Sequence, residues 1–505
     1  MNAMTTISHP TYDLRDYQQA LINDVFAHWQ QGDRRVMMQL PTGGGKTVIF
    51  SALAAEFISR GEGVLVVAHR EELLLQAREK LAAHVNVPVG VIKAGYRPDP
   101  AATLQVGSIQ TLARRFDKLP PAALVICDEA HHSAATSYLD LLRHYESAYI
   151  LGVTATPARI DGQGFKFIYD ALVLGSSVAE LIATGYLCPY KLFAAPKAID
   201  TSNVAVVAGE FNQRQLAEAV NTRLVMGDLI KTWEKYASGK KTVVFAVNVE
   251  HSKTIAAAYL AAGIPAEHLD GDTPAPQRAA VLERFRQGET LVLSNCGIIS
   301  EGFDVPSIEA IQCVRPTRSL NLWLQMLGRS LRPAPGKKHA VIIDHTQNWT
   351  CHGLPDDDRE WSLEPISLKT RRYAVQCPTC QHIFRPFSNE LAALVADCPN
   401  CGTRLQLIET EGEGSYEAQP LEADEAAAME EIPLDVNPLV WQRLQELRQQ
   451  QQERQLKPIW VYYSLRDSFT SLSYGDLREC AKILGYKPGW AWYKWQELQR
   501  RAAAC

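Results

Sequence analysis

At 505 residues, 46% hydrophobic and 21% charged, the chain is too long for one ordinary core and predicts three or more domains of a soluble globular protein. It has no run of about 18 apolar residues, and "MNAMTTISHPTYDL" lacks a basic stretch followed by an apolar one, so neither a membrane span nor a secretory leader is expected and a cytoplasmic location is. The net charge of −5 is uneven: residues 409–431 hold nine acids and no Lys or Arg, so the remainder carries +4 and an anionic partner is not excluded.

In chain order, "RVMMQL" (35–40), "GVLVVA" (63–68), "ALVICD" (123–128) and "YILGVT" (149–154) alternate with helix-like stretches. This is the βα pattern of a parallel sheet covered by helices. The pattern restarts with "KTVVFAV" (241–247), "ETLVLSN" (289–295), "IEAIQCV" (308–314) and "HAVIIDH" (339–345), which predicts a second α/β domain. Residues 190–225 join the two without a clear period. The expected organisation is an ATP-binding domain over 1–190, a bridge over 191–225 and a second domain over 226–365. A cysteine module (366–405), an acidic linker (406–437) and an aromatic, basic helical region (438–505) follow.

"LPTGGGKTVIF" (40–50) lies between a strand and a helix, where backbone N–H groups curve around a phosphate. Thr42, Gly43, Gly44 and Gly45 form the cradle, Lys46 supplies charge to the β/γ-phosphates, and Thr47 offers a hydroxyl to Mg²⁺. Leu40 stands where the strict pattern has Gly. The strand "ALVICD" ends in Asp128 and Glu129 at the rim where parallel sheets bind ligands. Asp128 suits Mg²⁺ through its water shell, and Glu129 suits alignment and deprotonation of an attacking water. A transition-metal site at His131 and His132 is disfavoured, because adjacent imidazoles leaving a strand are expected to diverge.

"PTGGGKT" with "DEAH" resembles the superfamily 2 helicases of the DEAH-box type. "LRDYQ" (14–18), "VVAHREELLLQ" (66–76), "VGSIQTL" (106–112), "TATPAR" (154–159), "VVFAVNVEHS" (243–252), "SEGFDVP" (300–306) and "LQMLGRSLRP" (324–333) match in order. The resemblance covers about residues 12–345 and implies two RecA-like domains with ATP between them and a nucleic acid strand across both. It assigns adenine recognition to Arg15 and Gln18, and coupling of ATP occupancy to domain movement to Thr154 and Thr156. Arg329 and Arg332 become arginine fingers, and Gln325 would sit near His131. Gly302 and Asp304 would touch the ribose and the nucleic acid, with His69, Arg70, Thr111 and Asn248 as phosphate-backbone contacts.

Cys377, Cys380, Cys398 and Cys401 form C-x₂-C-x₁₇-C-x₂-C, the spacing of a closed, structural Zn²⁺ site. Lys369, Arg371, Arg372, Tyr373, Phe384, Arg385 and Phe387 around it suggest a nucleic-acid-facing ribbon, with Phe384 and Phe387 as alternative core fillers. In "LGYKPGWAWYKWQELQRR" the aromatics suit base stacking and a compact helical core equally. The domain order with this tail resembles the bacterial RadD-type DNA-repair helicases, which implies DNA as polymer and repair as setting. The expected activity is a DNA helicase or translocase using ATP and Mg²⁺, with a repair-protein partner at the C-terminal region. An RNA-directed helicase and an ATP-driven repair accessory that never separates strands are the alternatives.

Overall fold

The computed structural model describes residues 14–69, 71–85, 87–159, 162–195, 199, 201, 203–207, 210–220, 223–297, 308–365, 374–410, 416–421, 437–469, 472–487 and 489–502. Arg70, Gly302, Asp304, Lys369, Arg371, Arg372 and Tyr373 lie outside the described residues. The chain forms two compact units. One comprises residues up to Gln376 with Cys380–Phe384; the other comprises Cys377–Thr379, Arg385–Thr410 and Tyr416 onward.

The first unit holds two large sheets. Strands β1 (Arg35–Gln39), β2 (Val64–Ala68), β3 (Val89–Ile92), β4 (Leu104–Ser108), β5 (Leu124–Asp128), β6 (Tyr149–Thr154) and β7 (Ala171–Leu174) pair in the order β3-β4-β2-β5-β6-β1-β7. All pairings are parallel. Helices cover both faces, so β2, "VLVVA", is buried at every position rather than alternating.

The segment expected to be without period contributes β8 (Tyr190–Ala194) and a two-stranded hairpin, β9 (Val206–Val207) with β10 (Glu210–Phe211). The hairpin packs with the Gln213–Val220 helix around Val204, Leu216 and Val220, leaving Val206 and Val207 exposed. β8 belongs to the second sheet. With β11 (Thr242–Phe245), β12 (Ala266–Leu269), β13 (Val292–Asn295), β14 (Ala310–Cys313), β15 (Ala340–Asp344), β16 (Val375–Gln376) and β17 (His382–Phe384) it forms the order β12-β13-β11-β14-β15-β8-β17-β16. β8 pairs parallel with β15 and antiparallel with β17, which ends the parallel run.

Beyond β15 the chain returns to the first lobe. Leu363 is buried there with Phe165, Ile168 and Tyr169, and its carbonyl accepts the N–H groups of Phe165 at 2.6 Å and Lys166 at 3.0 Å.

The second unit has an antiparallel sheet of β18 (Val395–Asp397), β19 (Arg404–Glu409) and β20 (Tyr416–Pro420). Helices Pro438–Glu453, Ile459–Ser468, Tyr474–Ile483 and Gly489–Ala502 enclose Leu444, Leu447, Leu465 and Leu477, with Trp441, Trp460, Trp490 and Trp495 packed around them. Four of the tail's tryptophans therefore serve a helical core, while Trp492 and Tyr493 stay exposed. Phe384 is buried as a core filler should be, but Phe387 is 65% exposed and does not fill the ribbon. The cause is local: it sits at the N-cap of the Ser388–Ala393 helix in an extended conformation. Among the described residues no helix is long and apolar enough to cross a membrane.

Candidate functional site

β1 delivers the chain to the Gly-rich loop, and the Lys46–Ser59 helix starts directly after it, so the helix N-terminus points at the loop's cavity. Gly43 and Gly45 take φ of +91° and +90°, left-handed values that free the loop N–H groups to turn inward. Lys46 Nζ donates to the Leu40 carbonyl at 3.2 Å. The Tyr17 hydroxyl donates to the Gly44 carbonyl at 2.7 Å and the Gln18 amide reaches it at 3.3 Å. Gln18 also accepts the Arg15 N–H at 3.1 Å, and the Arg15 guanidinium lies over the Tyr186 ring at 4.2 Å. Gln18 thus braces the loop in this state. Tyr17, within the "LRDYQ" stretch but given no role there, and Tyr186, which no motif marks, line the same corner.

Asp128 closes β5 beside Lys46. Burial raises its carboxyl to about 7, Glu129 adds to the rise, and Lys46 opposes it. Burial likewise lowers Lys46, against the pull of Glu129 and Asp128. Both charged forms are therefore short of solvent, an environment in which added charge interacts strongly. Arg329 and Arg332 act on Lys46 with the opposite sign. Arg329 is buried, and a Cβ on Gly43 would lie 3.5 Å from Arg332 Cγ.

Glu129 has φ +51°, unusual for a residue with a side chain, and turns the chain sharply into a single 3₁₀ turn, Ala130–His132. His131 Nδ1 lies 3.4 Å from Glu129 Oε2 and 3.2 Å from Thr154 Oγ1. The Gln325 amide approaches the same Glu129 oxygen at 3.4 Å. Gln325 and His131 thus meet on one carboxylate. Thr154 Oγ1 accepts the Thr156 N–H at 3.1 Å, and the Thr156 hydroxyl donates to Asn321 Oδ1 at 2.6 Å. Asn321 opens the Leu320–Ser330 helix, which also carries Gln325 and Arg329, and sequence alone did not single it out. Gly328 of that helix sits on the loop: a Cβ there would lie 2.5 Å from Thr42 Cβ.

The two imidazoles do not diverge. His131 and His132 have ring centroids 4.1 Å apart, and His132 is 4.3 Å from His69. The 3₁₀ turn rotates successive side chains by about 120°, where an extended strand exit would send them to opposite faces. Of the other expected phosphate contacts, Thr111 is buried, and Asn248 caps the Val249–Ala261 helix by accepting the His251 N–H at 2.8 Å.

The sulfurs of Cys377, Cys380, Cys398 and Cys401 all lie within 4.8 Å of one another. Four thiolates around a tetrahedral ion with bonds of about 2.3 Å sit about 3.8 Å apart, and Cys377 Sγ to Cys401 Sγ is 3.7 Å. The donor set fits zinc.

The profile described as "Type III restriction enzyme, res subunit" matches residues 11–159, and "Helicase conserved C-terminal domain" matches 224–334. A 51.5 kDa protein of a Lactococcus phage is 34% identical over 76% of this chain and 81% of its own length. The Saccharomyces cerevisiae protein named as ATP-dependent helicase IRC3 is 34% identical over 66% of this chain, which spans only 51% of that protein. The fragment structure of an HsdR subunit of a type I restriction enzyme from Vibrio vulnificus superposes with a TM-score of 0.55 at 20% identity, covering 69% of this chain and 67% of that one; at that identity the likeness shows the fold. Two largely parallel sheets, a Gly-rich loop, an acidic strand end, and two matched helicase profiles agree: the chain belongs to the superfamily 2 helicases, ATP-hydrolysing enzymes.

Proposed function

We propose that this chain is a Mg²⁺- and ATP-dependent DNA helicase or translocase of the DEAH-box, RadD-like kind, working in DNA repair. The observation that carries the reading is the convergence of His131 and of Gln325, from the other lobe, on Glu129 Oε2. A water-activating carboxylate held from both lobes makes hydrolysis depend on their approach.

In this reading Thr47 and Asp128 hold Mg²⁺, which supplies charge neutralisation between the phosphates. The loop N–H groups from Thr42 to Gly45 and Lys46 hold the phosphates. Glu129 orients the attacking water and takes its proton. Arg329 and Arg332 face the γ-phosphate, where such charges contribute several kcal/mol to the transition state, of order 10³-fold or more in rate. Thr154, Thr156 and Asn321 report the nucleotide state to the second lobe. Arg15 and Gln18 meet the adenine when ATP arrives, with Gln18 leaving the Gly44 carbonyl. Gly302 and Asp304 keep the ribose and nucleic-acid roles that the resemblance implies. The domain limits expected from the sequence are kept as a proposal, with β8 as an outlying strand of the second sheet and β20, inside the expected linker, as a strand paired with β19. The cysteine cluster holds structural Zn²⁺.

DNA is favoured by the restriction-enzyme profile over the first lobe. Exposed Trp492 and Tyr493 support a second contact, with bases or a repair protein, through the C-terminal helices. ATP turnover of the full chain is measured with single-stranded DNA, duplex DNA and RNA, beside Lys46→Ala. DNA is expected to stimulate the parent and the variant to be inactive. Equal or greater stimulation by RNA overturns the choice of polymer, and unchanged turnover in Lys46→Ala overturns the assignment of the site.

A further inference from the structure

The Leu320–Ser330 helix carries Asn321, Gln325 and Arg329, so its placement decides whether all three reach the first lobe together. What fixes the start of that helix comes from another part of the chain. Glu210, in the small hairpin of the connecting segment, accepts the Thr317 hydroxyl at 2.6 Å. It also accepts the Arg318 N–H, at 3.0 Å on one carboxylate oxygen and 3.3 Å on the other. Thr317 Oγ1 in turn accepts the Ser319 N–H at 3.0 Å, and Ser319 caps the helix by accepting the Leu322 N–H at 3.2 Å. Glu210 is itself held in place, since one of its oxygens accepts the Phe211 N–H at 2.9 Å. A carboxylate at this end also suits the positive end of the helix dipole.

We propose that Glu210 is a positioning residue for ATP hydrolysis. Through Thr317 and Ser319 it sets where the helix begins, and thereby the seating of Asn321 on Thr156 and of Gln325 on Glu129. The proposal rests on the roles given above to Glu129 and Gln325. Asn348 and His352 hold Thr317 from within the second lobe, through its N–H at 3.0 Å and its carbonyl at 2.8 Å, so losing Glu210 shifts the helix start without unfolding the lobe. The hairpin is thus part of the hydrolytic apparatus and not merely connecting chain.

The test is steady-state ATP hydrolysis by the full chain, parent against Glu210→Ala and Glu210→Gln, each also combined with Asn321→Ala, with melting curves of every variant. Glu210→Ala is expected to lower kcat about tenfold with KM for ATP within about twofold, because only alignment is lost. Glu210→Gln keeps one acceptor for the Thr317 hydroxyl and is expected to fall between parent and Glu210→Ala. In the Asn321→Ala background the effect of Glu210→Ala is expected to shrink to about threefold, since the share exerted through Asn321 is already lost while that through Gln325 remains. An unchanged kcat overturns the proposal, as does a tenfold loss that persists in the Asn321→Ala background. A fall in melting temperature that accounts for the lost activity overturns it too. A parent without turnover overturns the enzyme assignment itself, a failure distinct from these.

Discussion

Gln325 Nε2 stands 3.4 Å from Glu129 Oε2, so a carboxamide of the second lobe touches the carboxylate that we propose activates water in the first. Glu129→Gln is expected to bind ATP with near-parental affinity and to lose about 10²–10⁴ in turnover, the contribution of a positioned general base. Gln325→Ala leaves the base in place and should cost less, on the order of tenfold. Equilibrium binding of a fluorescent ATP analogue beside single-turnover hydrolysis separates the two effects. Lost binding in Glu129→Gln would make the residue structural.

Gly328 approaches the Gly-rich loop so closely that a methyl group would lie 2.5 Å from Thr42 Cβ and 2.8 Å from its Cγ2. Both atoms belong to Thr42 of the Gly-rich loop, close to its backbone, so Gly328→Ala must push the helix and the loop apart. Because a displacement of about 1 Å at a reacting centre can cost about a hundredfold, turnover should fall by that order. Helix propensity favours Ala by about 1 kcal/mol, so stability should hold. A variant with parental turnover would show that the lobes do not need this contact.

The four-cysteine cluster predicts one zinc ion per chain, detectable by elemental analysis of the purified protein. Cys398→Ser should lose the metal and destabilise the unit around β18–β20, because binding energy at such sites is folding energy. Cys351→Ser, at an exposed cysteine outside the cluster, should keep it. Retention of full zinc content by Cys398→Ser would rule out the assigned ligand set.

A pH dependence follows from Glu267 on β12. Arg284 donates to its two oxygens at 3.0 and 2.6 Å, and the Thr290 hydroxyl donates as well. Those hydrogen bonds, Arg284 first, hold the carboxyl below its ordinary 4.5 against the opposing effect of burial. A carboxyl lowered in the folded state adds stability above its unfolded value and loses it as pH falls through the folded one. Glu267→Gln should therefore cost about 1 kcal/mol near neutral pH, a figure reduced for the pair's partial exposure. Its unfolding curves should approach those of the parent as pH falls from the ordinary 4.5 through the lower folded value. Parallel acid limbs in the two proteins would refute the linkage.

The elements of the site are legible wherever a run of like residues marks them. "LPTGGGKT" and "LVICDEAH" read correctly as loop and strand end because glycine geometry and a buried apolar run act over neighbouring residues. The strands β3 and β4 escaped notice because each is a short buried run with no alternation to distinguish it. β8, "YKLFA", reads as bridge because its partners β15 and β17 lie about 150 and 190 residues away. Asn321 and Glu210 were invisible for a related reason. Each is a single polar residue whose meaning comes from a partner more than 100 residues distant in sequence. The imidazole pair was misjudged because the 3₁₀ turn that gathers the rings depends on the left-handed Glu129, which no propensity predicts.

Leu363 gives the order of synthesis a structural meaning. The first lobe's sheet is complete once β7 has emerged, yet its core waits for a side chain nearly two hundred residues later. A nascent chain halted between the lobes would expose the Phe165 and Tyr169 surface that Leu363 covers, together with the Phe165 and Lys166 amides it satisfies. The first lobe's core is therefore complete only after Leu363 has emerged, behind strands β8 to β15.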